Sequence, residues 1–125
     1  MWRPARTLAC LALAALALAQ EGHPLTGTWS GDWGPNAAQR THLTLVMGWD
    51  GKAVTGMINP GPEAIPIAGA SIDFSNWTVR LEADGKQAGR IVAEGRIEEL
   101  ASPHRTISGT WRQGTAQGEF KLTRD

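Results

Sequence analysis

Apolar and polar side chains alternate along most of this chain, so that every second residue belongs to the same face of a strand. In residues 25–33, Leu25, Trp29 and Trp33 share one parity, with glycines between them on the same face. Because successive side chains of a β-strand point to opposite faces of a sheet, this rhythm predicts strands with one buried face. Helical spacing does not recur after residue 20, so we expect an all-β fold.

Short clusters of Gly, Pro, Asn, Asp and Ser separate the alternating segments and are typical of turns. They divide the chain into eight strands when residues 64–74 are counted as one bulged strand. With an even number of antiparallel strands, the last strand, residues 117–124, lies antiparallel beside the first. The sequence therefore predicts an eight-stranded antiparallel up-and-down barrel.

The fourth strand contains a proline, Pro66, and its alternation changes parity near Gly69. Proline cannot donate a backbone hydrogen bond and is normally found at sheet edges or bulges. We therefore expect the barrel to be open or bulged near residues 64–70, with Ile72 and Phe74 facing inward after the change. A two-sheet β-sandwich is the alternative fold.

The dipeptide Asp50-Gly51 follows the second strand directly. This dipeptide favours a two-residue type I′ hairpin turn. A turn of that length predicts that Met47 lies opposite Val54, and the inward faces of both strands then coincide.

The first 19 residues have the layout of a secretory signal peptide. Arg3 and Arg6 precede an apolar run at residues 8–19, and Ala17-Leu18-Ala19 forms a small-x-small cleavage site. The run is shorter than the about 20 residues that span a bilayer. We therefore expect a secreted or periplasmic protein that is not inserted in a membrane in its mature form. Residues 20–24 would be a flexible N-terminus and residues 25–125 a single β-barrel domain.

The charge balance and the cysteine content limit the classes of partner and the covalent links that we expect. The chain holds 12 Lys and Arg and 12 Asp and Glu, and loss of Arg3 and Arg6 leaves 10 basic residues against 12 acidic ones. Without a basic cluster, neither nucleic acid nor an anionic membrane surface is an expected partner. The single cysteine, Cys10, lies in the signal peptide, so no disulfide is expected in the mature domain.

No motif for catalysis or for metal binding is present. His23, His42 and His104 lack the spacing of metal ligands, and the acidic residues are spread over turns and outward faces. The sequence therefore predicts neither a catalytic site nor a cofactor nor a metal, and an enzyme is the function ranked last.

Four of the five tryptophans after residue 20 sort by the end of the predicted barrel on which they lie. Trp49 and Trp77 fall at the end with the tight turns, whereas Trp33 and Trp111 fall at the end with the longer loops. An eight-stranded barrel is either filled by its own side chains or holds one small ligand. We predict an apolar or aromatic ligand site at the longer-loop end, formed by Trp33, Ile58, Trp111 and Phe120.

A protein-interaction module, such as a periplasmic enzyme inhibitor, is the alternative function. Loops carry most contacts of that kind, and the candidates are residues 34–40 and 60–63. The sequence does not specify an oligomeric state.

The opening strand, Leu25-Thr26-Gly27-Thr28-Trp29, resembles the first strand of the avidin-like and lipocalin-like barrels, together called calycins. This resemblance implies a small closed barrel in which Trp29 packs across the closed end. It also implies that a basic residue on the final strand, Lys121 or Arg124, covers that tryptophan. The last strands, residues 105–124, are similar to short uncharacterised secreted bacterial proteins.

Overall fold

The computed structural model describes residues 23–125. The predicted signal peptide, residues 1–19, lies outside the described residues, as do residues 20–22. The described chain forms eight strands and one short 3₁₀ helix, at Lys86–Ala88. The strands are β1 (Gly27–Asn36), β2 (Gln39–Trp49), β3 (Val54–Ile58), β4 (Ile65–Asp73), β5 (Thr78–Asp84), β6 (Arg90–Glu98), β7 (Thr106–Gln113) and β8 (Ala116–Arg124).

Each strand pairs with the next in the chain, and β8 pairs with β1 to close the barrel. The closing ladder is antiparallel and runs from Trp29 opposite Arg124 to Gly34 opposite Glu119. The predicted eight-stranded up-and-down barrel is therefore confirmed, and the alternative β-sandwich is wrong. Within residues 23–125 no helix has the length and apolar character needed to cross a lipid bilayer.

The ladder between β3 and β4 is short. It contains Met57 opposite Pro66 and Ile58 opposite Ile65, and Pro66 has no N–H to extend it. On the other side of β4, the register shifts between Ile67 and Gly69. The predicted bulge is thus confirmed, whereas the barrel remains closed at this position.

The connection between β2 and β3 differs from the predicted two-residue turn. Trp49 lies opposite Val54 and Met47 lies opposite Gly56, so the loop comprises residues 50–53. The Asp50 carboxylate accepts hydrogen bonds of 2.8 Å from the backbone N–H groups of Lys52 and Ala53. These bonds stabilise a four-residue loop, and the predicted register is wrong by two residues. A shift of two preserves the inward face of both strands.

The inward faces form one hydrophobic core, and every buried side chain in the part of the chain that the structure describes is apolar. Trp29 and Leu25 are fully buried at the end that carries the loops after β2, β4 and β6, which we call the closed end. The other buried residues are Leu43, Leu45, Met47, Val54, Ile58, Val79, Leu81, Ala83, Ile91, Ile97, Ile107, Phe120 and Leu122.

The closed end is covered by the segment that precedes β1. The Trp29 indole Nε1 donates a 2.9 Å hydrogen bond to the Leu25 carbonyl oxygen. Arg124 lies opposite Trp29 in the closing ladder, and its guanidinium donates to the Thr26 carbonyl oxygen at 3.4 Å. Lys121 is exposed and has the opposite parity, whereas Arg124 shares the parity of Trp29.

His23, at the described end of the predicted flexible segment, is packed on the barrel. Its ring stacks on Trp49 with 4.7 Å between ring centroids. Its Nδ1 accepts a hydrogen bond of 3.2 Å from the Leu25 backbone N–H. Burial lowers the pKa of His23 below its ordinary value of 6.5.

We therefore expect the free energy of unfolding to decrease as the pH falls below about 6.5. The unfolded chain, with the higher pKa, takes up the proton first, so acid favours unfolding until the folded histidine is also protonated. Urea unfolding measured at several pH values between 8 and 4 tests this. The variant His23→Phe keeps an aromatic ring on Trp49, and it should lose part of the pH dependence. An unchanged pH dependence in that variant would contradict the prediction.

Candidate functional site

The four residues predicted to bind a ligand line one interior cavity. Trp33 comes from β1, Ile58 from β3, Trp111 from β7 and Phe120 from β8. The cavity measures about 30 Å³, and its walls expose only apolar atoms. The rest of its lining comprises Leu43, Leu45, Ile67, Leu81, Glu82, Ala83, Ile91, Ala93 and Leu122.

Among residues 23–125, Glu82 is the one charged residue that borders this cavity. It lies on β5 between the inward residues Leu81 and Ala83, so its side chain points outward. Its carboxylate accepts hydrogen bonds from Arg80 at 2.9 Å and from Arg90 at 3.0 Å. The hydrogen bond from Arg80 lowers the pKa of Glu82. The carboxylate is therefore ionised on the outer face, and the cavity carries no charge.

Two half-buried indoles form the wall of the cavity toward the opposite end of the barrel, which we call the open end. The ring centroids of Trp33 and Trp111 lie 4.9 Å apart with an angle of 44° between the planes. The Trp111 indole Nε1 donates a 3.2 Å hydrogen bond to the Glu119 carbonyl oxygen. The Trp33 indole makes no hydrogen bond to any residue in the range 23–125. Trp111 is thus held by packing and by a hydrogen bond, whereas Trp33 is held by packing alone.

The size of the cavity limits what it can hold with both indoles in place. A water molecule needs about 10–15 Å³ and polar partners, and purely apolar cavities stay dry. Pockets for small molecules generally measure about 300–1,000 Å³. A ligand of that size therefore fits only if an indole moves away from the barrel axis.

A polar side chain that the sequence analysis did not single out lies at the rim of the open end. Gln113, two residues after Trp111 on β7, lies opposite Ile91 and so shares the inward face. Its amide Nε2 donates a 3.0 Å hydrogen bond to the Gly89 carbonyl oxygen. The two-residue step from Trp111 is the sequence signal for this position.

The first of the two predicted contact loops is largely a continuation of the sheet. Asn36 lies opposite Gln39, so residues 34–40 form the tip of a hairpin and the prediction of a long loop there is wrong. The Asn36 carboxamide oxygen accepts hydrogen bonds from the N–H groups of Ala38 and Gln39 at 2.9 and 3.0 Å. These bonds explain the tight turn. The second predicted segment, residues 60–63, lies between β3 and β4.

His42, His104 and the ion pair of Arg40 with Asp32 lie outside the cavity. His42 contacts the Thr44 hydroxyl and His104 contacts the Arg124 carbonyl oxygen, both at 3.1 Å. Arg40 forms an ion pair with Asp32 on the outer face of β1 and β2. Among residues 23–125, no three histidine or acidic side chains are grouped as they would be in a metal site.

No family model matches this chain, and no curated protein or solved structure gives a significant match. The closed antiparallel eight-stranded barrel is consistent with the calycin-like architecture that the opening strand resembles.

Proposed function

We propose that this protein, after export, is a calycin-like binding module that takes a small apolar molecule into the barrel interior from the open end. The observation that supports this proposal is the uncharged apolar cavity beneath the indoles of Trp33 and Trp111. Transfer of an apolar molecule from water to such walls is favourable by about 25 cal/mol for each Å² of apolar surface removed from water.

Binding in this proposal requires the Trp33 indole to move. It is half-buried and lacks a hydrogen-bond partner among residues 23–125, so its displacement breaks no polar contact. The Trp111 indole keeps its hydrogen bond to Glu119 and offers its ring as one wall for the ligand. Aromatic rings stack on such a wall in offset or tilted geometry.

We expect the purified protein to bind N-phenyl-1-naphthylamine, a neutral fluorescent aromatic probe, and the Trp33→Ala variant to bind it about tenfold more tightly. Removal of the indole raises the fraction of molecules whose cavity is accessible, and the apparent affinity rises with that fraction. The increase of probe emission during titration measures both affinities.

Two further variants give this experiment its controls. Trp49→Ala removes an indole at the closed end and should leave the affinity unchanged. In the Trp33→Ala background, Ala93→Leu adds methyl groups to the cavity wall and should abolish the gain. Absence of binding to the unmodified protein, or an equal gain in Trp49→Ala, would contradict the proposed function.

A role in binding another protein is the second candidate, and an open groove beside the hairpin tip favours it. The groove measures about 670 Å³ and runs between Pro35, Asn36 and Ala37 on one side and Trp111 and Arg112 on the other. Cross-linking in envelope extract is the test. A partner that the unmodified protein captures should be lost in Ala37→Glu. The same partner should be retained in Ala53→Glu, whose change lies in the loop at the opposite end.

A further inference from the structure

In the part of the chain that the structure describes, the rim of the open end carries no charged side chain on its inward face. The strand registers place Thr41 opposite Trp33, Ile65 opposite Ile58, and Ala116 opposite Gln113. Because residues directly opposite each other share a face, these four rim positions, 41, 65, 113 and 116, point toward the mouth. None of these four side chains carries a charge.

The loops at the same end do not favour an anion either. Glu63, Asp84 and Lys86 line one hollow between the loops that follow β3 and β5. Two carboxylates and one ammonium leave an excess of negative charge there. The Asp84 carboxylate already accepts a 2.9 Å hydrogen bond from the Lys86 backbone N–H. A ligand carboxylate or phosphate at the mouth would therefore lose part of its hydration without meeting a cationic side chain on the inward face of the rim in residues 23–125.

The side-chain amide of Gln113 is an inward-facing polar group whose orientation is set by a hydrogen bond. Its Nε2 donates to the Gly89 carbonyl oxygen at 3.0 Å. The same Nε2 packs against Gly85, because a Cβ added to that glycine would lie only 2.4 Å from it. These contacts fix the amide plane, and its Oε1 accepts no hydrogen bond from any residue in the range 23–125. A carboxamide oxygen in this state can accept a hydrogen bond from a ligand hydroxyl.

From these observations we infer that the ligand is an uncharged apolar molecule with one hydroxyl group, and that Gln113 determines this specificity by accepting the hydroxyl hydrogen bond. This inference rests on the proposed function and goes beyond it, because an apolar cavity alone does not distinguish an alcohol from a hydrocarbon or from a fatty acid.

Three ligands that share one aromatic body test the inference: naphthalene, 2-naphthol and 2-naphthoate, titrated by calorimetry at pH 7. We expect 2-naphthol to bind about tenfold more tightly than naphthalene, the effect of one hydrogen bond in an apolar site. The anionic 2-naphthoate should bind more weakly than both. A cationic analogue, 2-naphthylmethylamine, should also bind more weakly than 2-naphthol, because no acidic side chain of residues 23–125 lies on the inward face of the rim.

Two substitutions at Gln113 separate specificity from binding itself. Gln113→Leu should reduce the affinity for 2-naphthol to that for naphthalene and leave the affinity for naphthalene unchanged. Gln113→Lys should raise the affinity for 2-naphthoate, a gain that a poorly folded variant cannot produce. Equal binding of 2-naphthol and 2-naphthoate by the unmodified protein would overturn the inference while the proposed function stands. If none of the four compounds binds, both are overturned.

Discussion

Replacement of Trp29 by alanine is expected to lower the free energy of unfolding by about 3–5 kcal/mol, the usual cost of removing a large aromatic side chain from a core. The indole is fully buried and fills the closed end of the barrel. Its removal leaves a cavity, and it also leaves the Leu25 carbonyl oxygen without the donor that now lies 2.9 Å away. Urea unfolding followed by far-ultraviolet circular dichroism measures the loss.

Two variants separate the contributions to this effect. Trp29→Phe keeps an aromatic ring but lacks the N–H group, and we expect it to cost about 1–3 kcal/mol. Trp33→Ala removes an indole of the same size that is half-buried at the open end, so its cost should be smaller than that of Trp29→Ala. A loss in Trp29→Ala no larger than that in Trp33→Ala would contradict the assignment of Trp29 as the central residue of the closed end.

The fold followed from the sequence because two independent signals agree. The two-residue rhythm determines which side chains face inward, and an even number of strands allows β8 to pair antiparallel with β1. Both signals are local, and neither depends on the detailed geometry of any one loop. The change of parity in β4 was equally predictable from the sequence, because a bulge adds one residue to one strand and reverses its alternation.

Loop geometry was not predictable to the same degree. The Asp50-Gly51 dipeptide favoured a two-residue turn, but the Asp50 carboxylate caps two N–H groups beyond it and lengthens the loop to residues 50–53. Phe74 was expected to face inward and is instead 59% exposed, with its ring 5.5 Å from that of Trp77. The strand ends at Asp73, and alternation has no meaning beyond the last strand residue.

The candidate site was predictable in its composition but not in its dimensions. The period of two placed the indoles of Trp33 and Trp111 at one end, and the structure brings them to 4.9 Å from each other. The volume of the cavity depends on how side chains from all strands interdigitate, which no single segment determines. The orientation of the Gln113 amide depends on the conformation of the loop around Gly89, so it could not be inferred from the strand pattern.

The glycines on the inward face have a steric role that the structure makes explicit at Gly109. This residue lies opposite Gly95 in the ladder between β6 and β7. A Cβ added to Gly109 would lie 2.0 Å from the Glu94 carbonyl oxygen and 2.4 Å from the Gly95 Cα. Both neighbours are backbone atoms, which cannot rotate away as a flexible side chain can. Any side chain at this position therefore forces the two strands apart.

We accordingly expect Gly109→Ala to lower the free energy of unfolding by about 3 kcal/mol, at the upper end of the range for overpacking. Gly48 provides a matched control, because a Cβ added there meets nothing within 4 Å. Gly48→Ala should raise the free energy of unfolding by about 0.5 kcal/mol, since alanine loses less backbone entropy on folding than glycine. Urea unfolding of both variants under identical conditions measures the difference. Effects of the same sign and size would show that the close approach of β6 and β7 does not require glycine.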